Sequence, residues 1–141
     1  MHFTTFLTAA GLVQSTFAFY SIAEDYSGGS FFDKFDFFTG NDPTHGYVNY
    51  VDRGSAQNGG LITNDGAPYI GVDYQRVASG RGRDSVRLTS KRAYTHMLAV
   101  IDLAHMPQGC GTWPALYVSF SSPVQSNPYP HITFHSHLPL N

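Results

Sequence analysis

Residues 80–106 read GRGRDSVRLTSKRAYTHMLAVIDLAHM and contain the two clearest strand patterns of the chain. The glycines at the start favour a loop. The segment DSVRLTSK then alternates, with Ser85 and Arg87 on one side and Val86 and Leu88 on the other. The segment THMLAVIDLAHM is the most apolar of the chain, which predicts a central strand covered on both faces.

The same short-strand pattern occurs upstream of this stretch. GYVNYV (residues 46–51) alternates, with Tyr47, Asn49 and Val51 on one face. GGLITNDGAPYIGVD (residues 59–73) predicts two short strands joined by the turn sequence Asn-Asp-Gly. No long amphipathic helix is evident after residue 18. The patterns together predict an all-β fold of the sandwich or barrel type.

The composition fits one folded domain and excludes one class of partner. The chain has 141 residues, of which 42% are hydrophobic and 15% aromatic, whereas 13% are charged. Ordinary globular chains carry about 25% charged residues, so this chain is apolar enough to bury a core. The formal net charge of −2 supplies no basic surface for nucleic acid.

The first 18 residues, MHFTTFLTAAGLVQSTFA, resemble a secretory signal peptide. Residues 3–13 are apolar over the length of a signal-peptide core, and Thr16 and Ala18 are small residues before a cleavage site. A membrane span needs about 20 apolar residues, so no span is expected. The sequence therefore predicts a secreted, extracellular protein, the alternative being a buried N-terminal helix.

The C-terminal residues differ in composition from the rest of the chain. After Asp102 there is no Asp, Glu, Lys or Arg, and four prolines follow Ser119. Proline prevents full pairing of a strand. Residues 118–141 are therefore expected to form an unstructured tail, unrelated to the fold of residues 19–117.

Several stretches resemble glycoside hydrolase family 16, in particular the fungal secreted laminarinases and endo-β-1,3(4)-glucanases. They are YSGGSFFDKFDFFTGNDPTHGYVNYVD, AQNGGLITNDGAPYIGVD, GRGRDSVRLTSKRAYTHMLAVIDLAHMPQGCGTWPALY, in that order. The resemblance covers about residues 23–117. It implies a β-jelly-roll, or concanavalin-like, sandwich, of which this chain is expected to be a truncated N-terminal part.

The resemblance also implies endo-hydrolysis of β-1,3 or β-1,3-1,4 glucan with retention at the anomeric carbon. Retention needs two carboxyl groups about 5–5.5 Å apart, which the family carries in a Glu-x-Asp-x-x-Glu motif shortly after the GTWPALW segment. This chain lacks the motif, and Glu24 is its only glutamate. It is therefore expected to have no catalytic residues and no cofactor. Asp84 and Asp102 are the remaining candidates for a different carboxylate pair.

Four residues are predicted to contact β-glucan polysaccharide. Trp113 and Tyr117 are aromatic candidates for stacking on a sugar ring, although Trp113 could equally belong to the core. The fork of Arg87 can bind two hydroxyl groups and, as the resemblance implies, lines the groove. A surface salt bridge with Asp84 is the alternative for Arg87. Asn49 could donate to a hydroxyl group.

The sequence also permits other interpretations of the function. The chain could be a non-catalytic glucan-binding module, or a small secreted interaction protein. His131, His135 and His137 could bind a metal, but a solvent-exposed tail is the simpler interpretation, and no metal site is expected. Cys110 is the single cysteine, which in a secreted chain suggests intermolecular pairing, a free thiol or a missing partner. A small buried apolar residue is the alternative.

Overall fold

The structure is a computed structural model that describes residues 19–106, 113–120 and 130–136. Its elements are a 3-10 turn at Phe31–Lys34, β1 Phe35–Phe37, β2 Val48–Tyr50, α1 Arg53–Asn58, β3 Ile62–Thr63, β4 Tyr69–Ile70, β5 Arg83–Ala93, β6 Ala115–Phe120 and β7 Pro130–Ser136. The predicted all-β class is confirmed. Residues 1–18 and Cys110 lie outside the described part of the chain. Within that part, no helix is long and apolar enough to cross a membrane.

Strand β5 organises the larger sheet. The strand order is β1-β5-β7-β6, and β2 pairs with β5 as well. Strand β1 is antiparallel to β5, with Phe37 opposite Leu88. Strand β2 is parallel to β5, with Asn49 opposite Asp84. Strands β3 and β4 form a separate hairpin around the predicted Asn-Asp-Gly turn, where Gly66 has a φ of 92°.

The two faces of this sheet have different environments. Val86 and Leu88 on β5 are fully buried, and they share a cluster with the aromatic 3-10 turn and with Leu61 and Ile62. We call this side the back face. Alternate residues point the other way, so Arg87 and Tyr50 lie on the opposite side, which we call the front face. The predicted alternation of β5 is thus confirmed.

The prediction of a central strand at THMLAVIDLAHM is wrong. Residues 95–106 form no strand, and their large apolar side chains are exposed, including Leu98, Val100 and Leu103. A strand requires a neighbouring backbone to pair with, however apolar its sequence. The long ladder of β5 is occupied by β7, and no described strand pairs with residues 95–106.

The prediction of an unstructured tail is wrong for residues 130–136. This segment, PHITFHS, forms β7 and lies between β5 and β6. Ile132 and Thr133 are buried, and the backbone N–H of Ile132 donates to Ser90 Oγ at 3.0 Å. Pro130 is the first residue of the strand, a position where its missing N–H is tolerated. The β-branched and aromatic residues of PHITFHS therefore favour a strand more strongly than the prolines of the C-terminal region disfavour it.

Candidate functional site

Arg87 is at the centre of an aromatic cluster on the front face. Its guanidinium carbon lies 4.7 Å from the ring centroid of Phe38, 5.8 Å from that of Tyr50 and 5.9 Å from that of Tyr117. Its side chain is 17% exposed. Arginine over aromatic rings at such distances gains cation–π attraction, which strengthens as water is excluded. The rings therefore fix the guanidinium while one part of it faces solvent.

Asp42 supplies the negative charge of this cluster. Its carboxylate is 3% exposed, and its Oδ1 lies 3.9 Å from Nη1 of Arg87. Its Oδ2 accepts hydrogen bonds from the backbone N–H of Gly46 at 2.8 Å and from Thr44 Oγ1 at 2.5 Å. The alternative that Arg87 pairs with Asp84 is wrong, because Asp42 takes that place.

Tyr50 is the most deeply buried ring around Arg87, with 2% of its surface exposed. Burial, and after it the nearby Asp42 carboxylate, raises the pKa of Tyr50 to about 12. The Tyr50 hydroxyl and Arg87 Nε are buried and have no hydrogen-bond partner among the described residues. Buried polar atoms without partners are rare in folded proteins, and a functional role is one of the accepted explanations for them.

The GTWPALY segment contributes to the front face through β6. Tyr117 reaches Arg87 and lies opposite the buried Thr133 of β7. Trp113 precedes β6 and is 55% exposed, so the alternative that it belongs to the core is wrong. More than half of the Trp113 side chain therefore faces solvent.

Asn49 lies on the back face, away from Arg87. It is opposite Asp84 in the β2–β5 ladder, and its Nδ2 donates to Asp84 Oδ1 at 2.6 Å. The structure thus brings Arg87 and Tyr117 into contact, whereas Asn49 is on the other side of the sheet. The four predicted contact residues do not form one cluster.

The acidic side chains considered for catalysis have other partners or lie on an exposed segment. Glu24 forms ion pairs with Lys34 at 2.8 Å and Arg92 at 3.2 Å, and these two cations lower its pKa. Asp84 accepts from Asn49 with Oδ1 and pairs through Oδ2 with a neighbouring arginine. Asp102 lies on the exposed stretch of residues 95–106. Asp84 therefore forms an ion pair with Arg76.

No metal site is present among the described residues, where no group of three or more His, Cys, Asp or Glu side chains comes together. His131 and His135 belong to β7, but their side chains and all of His137 lie outside the described part of the chain. The possibility of a metal at these histidines is therefore untested.

Sequence reasoning missed three residues of the Arg87 cluster. Phe38, Asp42 and Tyr50 come from two segments that are far from Arg87 along the chain. The alternation of GYVNYV did place Tyr50 opposite Asn49, but not beside Arg87. The Asn-Asp-Pro sequence around Asp42 indicated only a turn. Nothing in the local sequence distinguishes a turn aspartate from one that pairs with a distant arginine such as Arg87.

The stability of the chain should fall at acidic pH. Hydrogen bonds from the Ser55 hydroxyl and backbone N–H lower the pKa of Asp52. Burial alone would raise the pKa of Asp73, but the backbone N–H of Gln75 and the Arg76 side chain outweigh it and lower the pKa. Both carboxylates therefore titrate below their unfolded value of about 3.9. Their stabilisation is present above about pH 5 and is lost as pH falls through their folded pKa values.

Urea unfolding at neutral pH and near pH 3 measures this effect. The urea concentration at the unfolding midpoint should be lower near pH 3 than at neutral pH. Replacing Asp52 by asparagine should reduce the difference between the two midpoints. A midpoint that is unchanged between the two conditions would contradict the expectation.

Comparison with known proteins identifies the fold. A profile of the XgeA-like catalytic domain of glycoside hydrolase family 16 matches residues 35–127, extending beyond Tyr117, where the resemblance was expected to end. An endo-1,3(4)-β-glucanase from Arthroderma benhamiae is 45% identical over 124 residues, which cover 86% of this chain and 27% of that protein. A probable glycosidase from Schizosaccharomyces pombe is 44% identical over 98 residues, covering 70% of this chain and 23% of that protein.

Two solved structures share the fold. An elongating family 16 β-1,3-glucosyltransferase has a TM-score of 0.64 at 42% identity, and the match covers 69% of this chain and 34% of that chain. Laminarinase 16A from Phanerochaete chrysosporium, solved with 6-O-glucosyl-laminaritriose in its donor and acceptor sites, has a TM-score of 0.63 at 43% identity. That match covers 68% of this chain and 34% of that chain.

These matches agree on the family and on its extent. The predicted β-jelly-roll fold is confirmed over the matched residues. The chain spans about a quarter of the two curated relatives and about a third of the solved chains. Because the profile covers more than half of the sequence, the chain belongs to glycoside hydrolase family 16.

Proposed function

We propose that this chain is an N-terminal part of a secreted family 16 β-glucanase domain, and that it recognises β-glucan without hydrolysing it. The observation that carries recognition is the Arg87 cluster, where a partly exposed guanidinium is held among three aromatic rings. Sugars bind through hydrogen bonds from fixed polar groups and through contact of C–H groups with aromatic faces. The related laminarinase structure, which binds a β-glucan oligosaccharide, supports β-glucan as the ligand.

The absence of hydrolysis follows from the carboxylates of the sequence. A retaining mechanism needs one carboxylate as nucleophile and a second carboxyl group as acid and base. The only glutamate, Glu24, is neutralised by Lys34 and Arg92, and both oxygens of Asp84 are engaged. No Glu-x-Asp-x-x-Glu motif is present in the 141 residues. The proposal of secretion is supported by the signal-peptide pattern of residues 1–18.

Hydrolysis is tested directly with the purified chain. We expect no release of reducing sugar from laminarin or lichenan above a control without protein, because the two required carboxyl groups are missing. Turnover that is abolished by Asp84→Asn or Asp102→Asn would overturn this part of the proposal and identify a different carboxylate pair.

Recognition is tested by co-sedimentation with insoluble β-1,3-glucan. Arg87→Lys keeps the charge but loses the planar fork, so we expect binding to weaken about tenfold or more, as for the loss of charge-assisted hydrogen bonds. Arg53→Lys is the matched control, since Arg53 forms an exposed ion pair with Asp33 and lies away from the front face. Equal binding by both variants and the unmodified chain would refute recognition through Arg87.

A further inference from the structure

A second polar surface lies on the back side of the sheet, away from Arg87. It is a cleft of about 710 Å³ between α1, the start of β5 and the segment after β4. Its polar side chains include Asn49, Ser55, Asn58, Asp73, Gln75 and Arg76. We call it the back cleft. None of its lining residues belongs to the Arg87 cluster.

Arg76 is held in one position within the back cleft. Its Nε donates to Asp73 Oδ2 at 2.9 Å, and its Nη2 donates to Asp84 Oδ2 at 2.6 Å. Nη1 of Arg83 donates to the backbone oxygens of Asp73 and Arg76, which fixes the loop beneath them. The Arg76 side chain is nevertheless 66% exposed, and its Nη1 makes none of the described hydrogen bonds. A fixed guanidinium with a donor left over loses little entropy when a ligand binds.

The charges of the back cleft determine what it can accept. All four oxygens of Asp73 and Asp84 already accept hydrogen bonds from protein groups, so a cation would have to displace Arg76. The lining of the back cleft contains two carboxylates and one guanidinium, and this excess of negative charge disfavours the binding of an anion. Val51 is the only large apolar residue of the lining, which disfavours an apolar ligand.

The remaining groups are neutral amides together with one arginine donor. The side chains of Asn58 and Gln75 make none of the described hydrogen bonds, and Asn49 uses only its Nδ2. An amide offers both a donor and an acceptor, and a sugar hydroxyl requires both. The set therefore matches a neutral ligand that carries several neighbouring hydroxyl groups.

We propose that the back cleft is a second carbohydrate site, which binds a glucosyl unit through its hydroxyl groups. Because it lies on the opposite side of the sheet, it does not depend on the Arg87 cluster. One chain with two such sites could hold two glucan strands, or two segments of one strand. Simultaneous binding would then raise the apparent affinity for an insoluble glucan above that for a short oligosaccharide.

Amide NMR titration of the full chain with laminarihexaose tests the proposal. At about ten times a dissociation constant of roughly 1 mM, we expect shifts in residues 55–60 and 73–76. Maltohexaose should shift the same amides, because the site recognises glucosyl hydroxyls rather than a linkage. The double variant Asn58→Ala/Gln75→Ala, in which both side chains are exposed, should raise the dissociation constant about tenfold while leaving the melting temperature unchanged. At the same sugar concentration the shifts should then be roughly half as large as in the unmodified chain.

Arg87→Lys serves as the matched control, since it should leave the back-cleft shifts intact. Loss of those shifts in Arg87→Lys, or their absence with both oligosaccharides, would overturn the second site. Shifts at the back cleft with inorganic phosphate or calcium chloride, but not with sugar, would overturn the ligand class. Back-cleft shifts without any change near Arg87 would support the second site and contradict the proposed front-face recognition.

Discussion

Replacing Gly82 with alanine should abolish cooperative folding of this chain. Gly82 is buried just before β5 with a φ of 128°, a conformation that side-chain-bearing residues rarely adopt. A Cβ built there would lie 2.1 Å from the carbonyl carbon of Tyr47 and 2.3 Å from the backbone nitrogen of Val48. Backbone atoms cannot rotate away as a side chain can, so β2 would have to separate from β5.

The expected cost is large relative to the stability of a domain. Backbone strain of this kind costs about 1–3 kcal/mol, and the displaced β2–β5 ladder adds to it. Whole domains are stable by only about 5–15 kcal/mol. Gly29→Ala is the matched control, because a Cβ at that position meets nothing within 4 Å.

Thermal unfolding followed by circular dichroism measures both variants. Gly29→Ala should melt within a few degrees of the unmodified chain, whereas Gly82→Ala should show no sharp transition. A cooperative melt of Gly82→Ala near that of the unmodified chain would show that β2 is not held against β5 as described.

Truncating Phe134 should destabilise the chain by about 2–3 kcal/mol, somewhat less than the roughly 3–5 kcal/mol for removing a fully buried phenylalanine side chain. Phe134 is only partly buried, but its ring packs on the aromatic cluster of the back face. Its centroid lies 5.5 Å from that of Phe35 in an edge-to-face arrangement and 6.1 Å from that of Phe31. These contacts fasten β7 to residues that lie about a hundred positions earlier in the sequence.

Urea unfolding measures the loss of stability in Phe134→Ala. The control variant is Val118→Ala, on β6. Val118 is 51% exposed, so its truncation should change the free energy of unfolding by less than about 0.5 kcal/mol. Equal stability of both variants would contradict the place of β7 in the sheet and restore the expectation of an unstructured tail.

The parts of the fold that were predictable depend on local sequence. Alternation in β2 and β5, and the Asn-Asp-Gly turn between β3 and β4, follow from the side-chain period and from turn chemistry. Residues 95–106 were predicted to form a strand and residues 130–136 an unstructured tail, whereas in the structure only residues 130–136 form a strand. Both carry β-forming residues, and the choice between them depends on which segment reaches the edge of β5, a property of the whole chain.

The same distinction applies to the candidate site. Arg87 and Tyr117 were identified from local motifs, and the structure brings them into contact. Asp42 and Phe38 were not identified from local motifs. Their contacts with Arg87 form only when the segment after β1 folds over the front face. The position of Asn49 on the back face depends on the parallel register of β2 with β5, which alternation within β2 alone does not determine.

The strand order has a kinetic consequence. Among the described strands, β6 reaches the rest of the sheet only through β7, which follows it in the chain. The pairing of β5 with β7 joins residues more than 35 positions apart, such as Ala93 and His131. Contacts that are distant in sequence slow folding, because the loop between them must close before they form. Synthesis from the N-terminus would therefore leave β6 without a hydrogen-bonded neighbour among the described strands until β7 emerges. During this interval newly made chains would be most prone to associate.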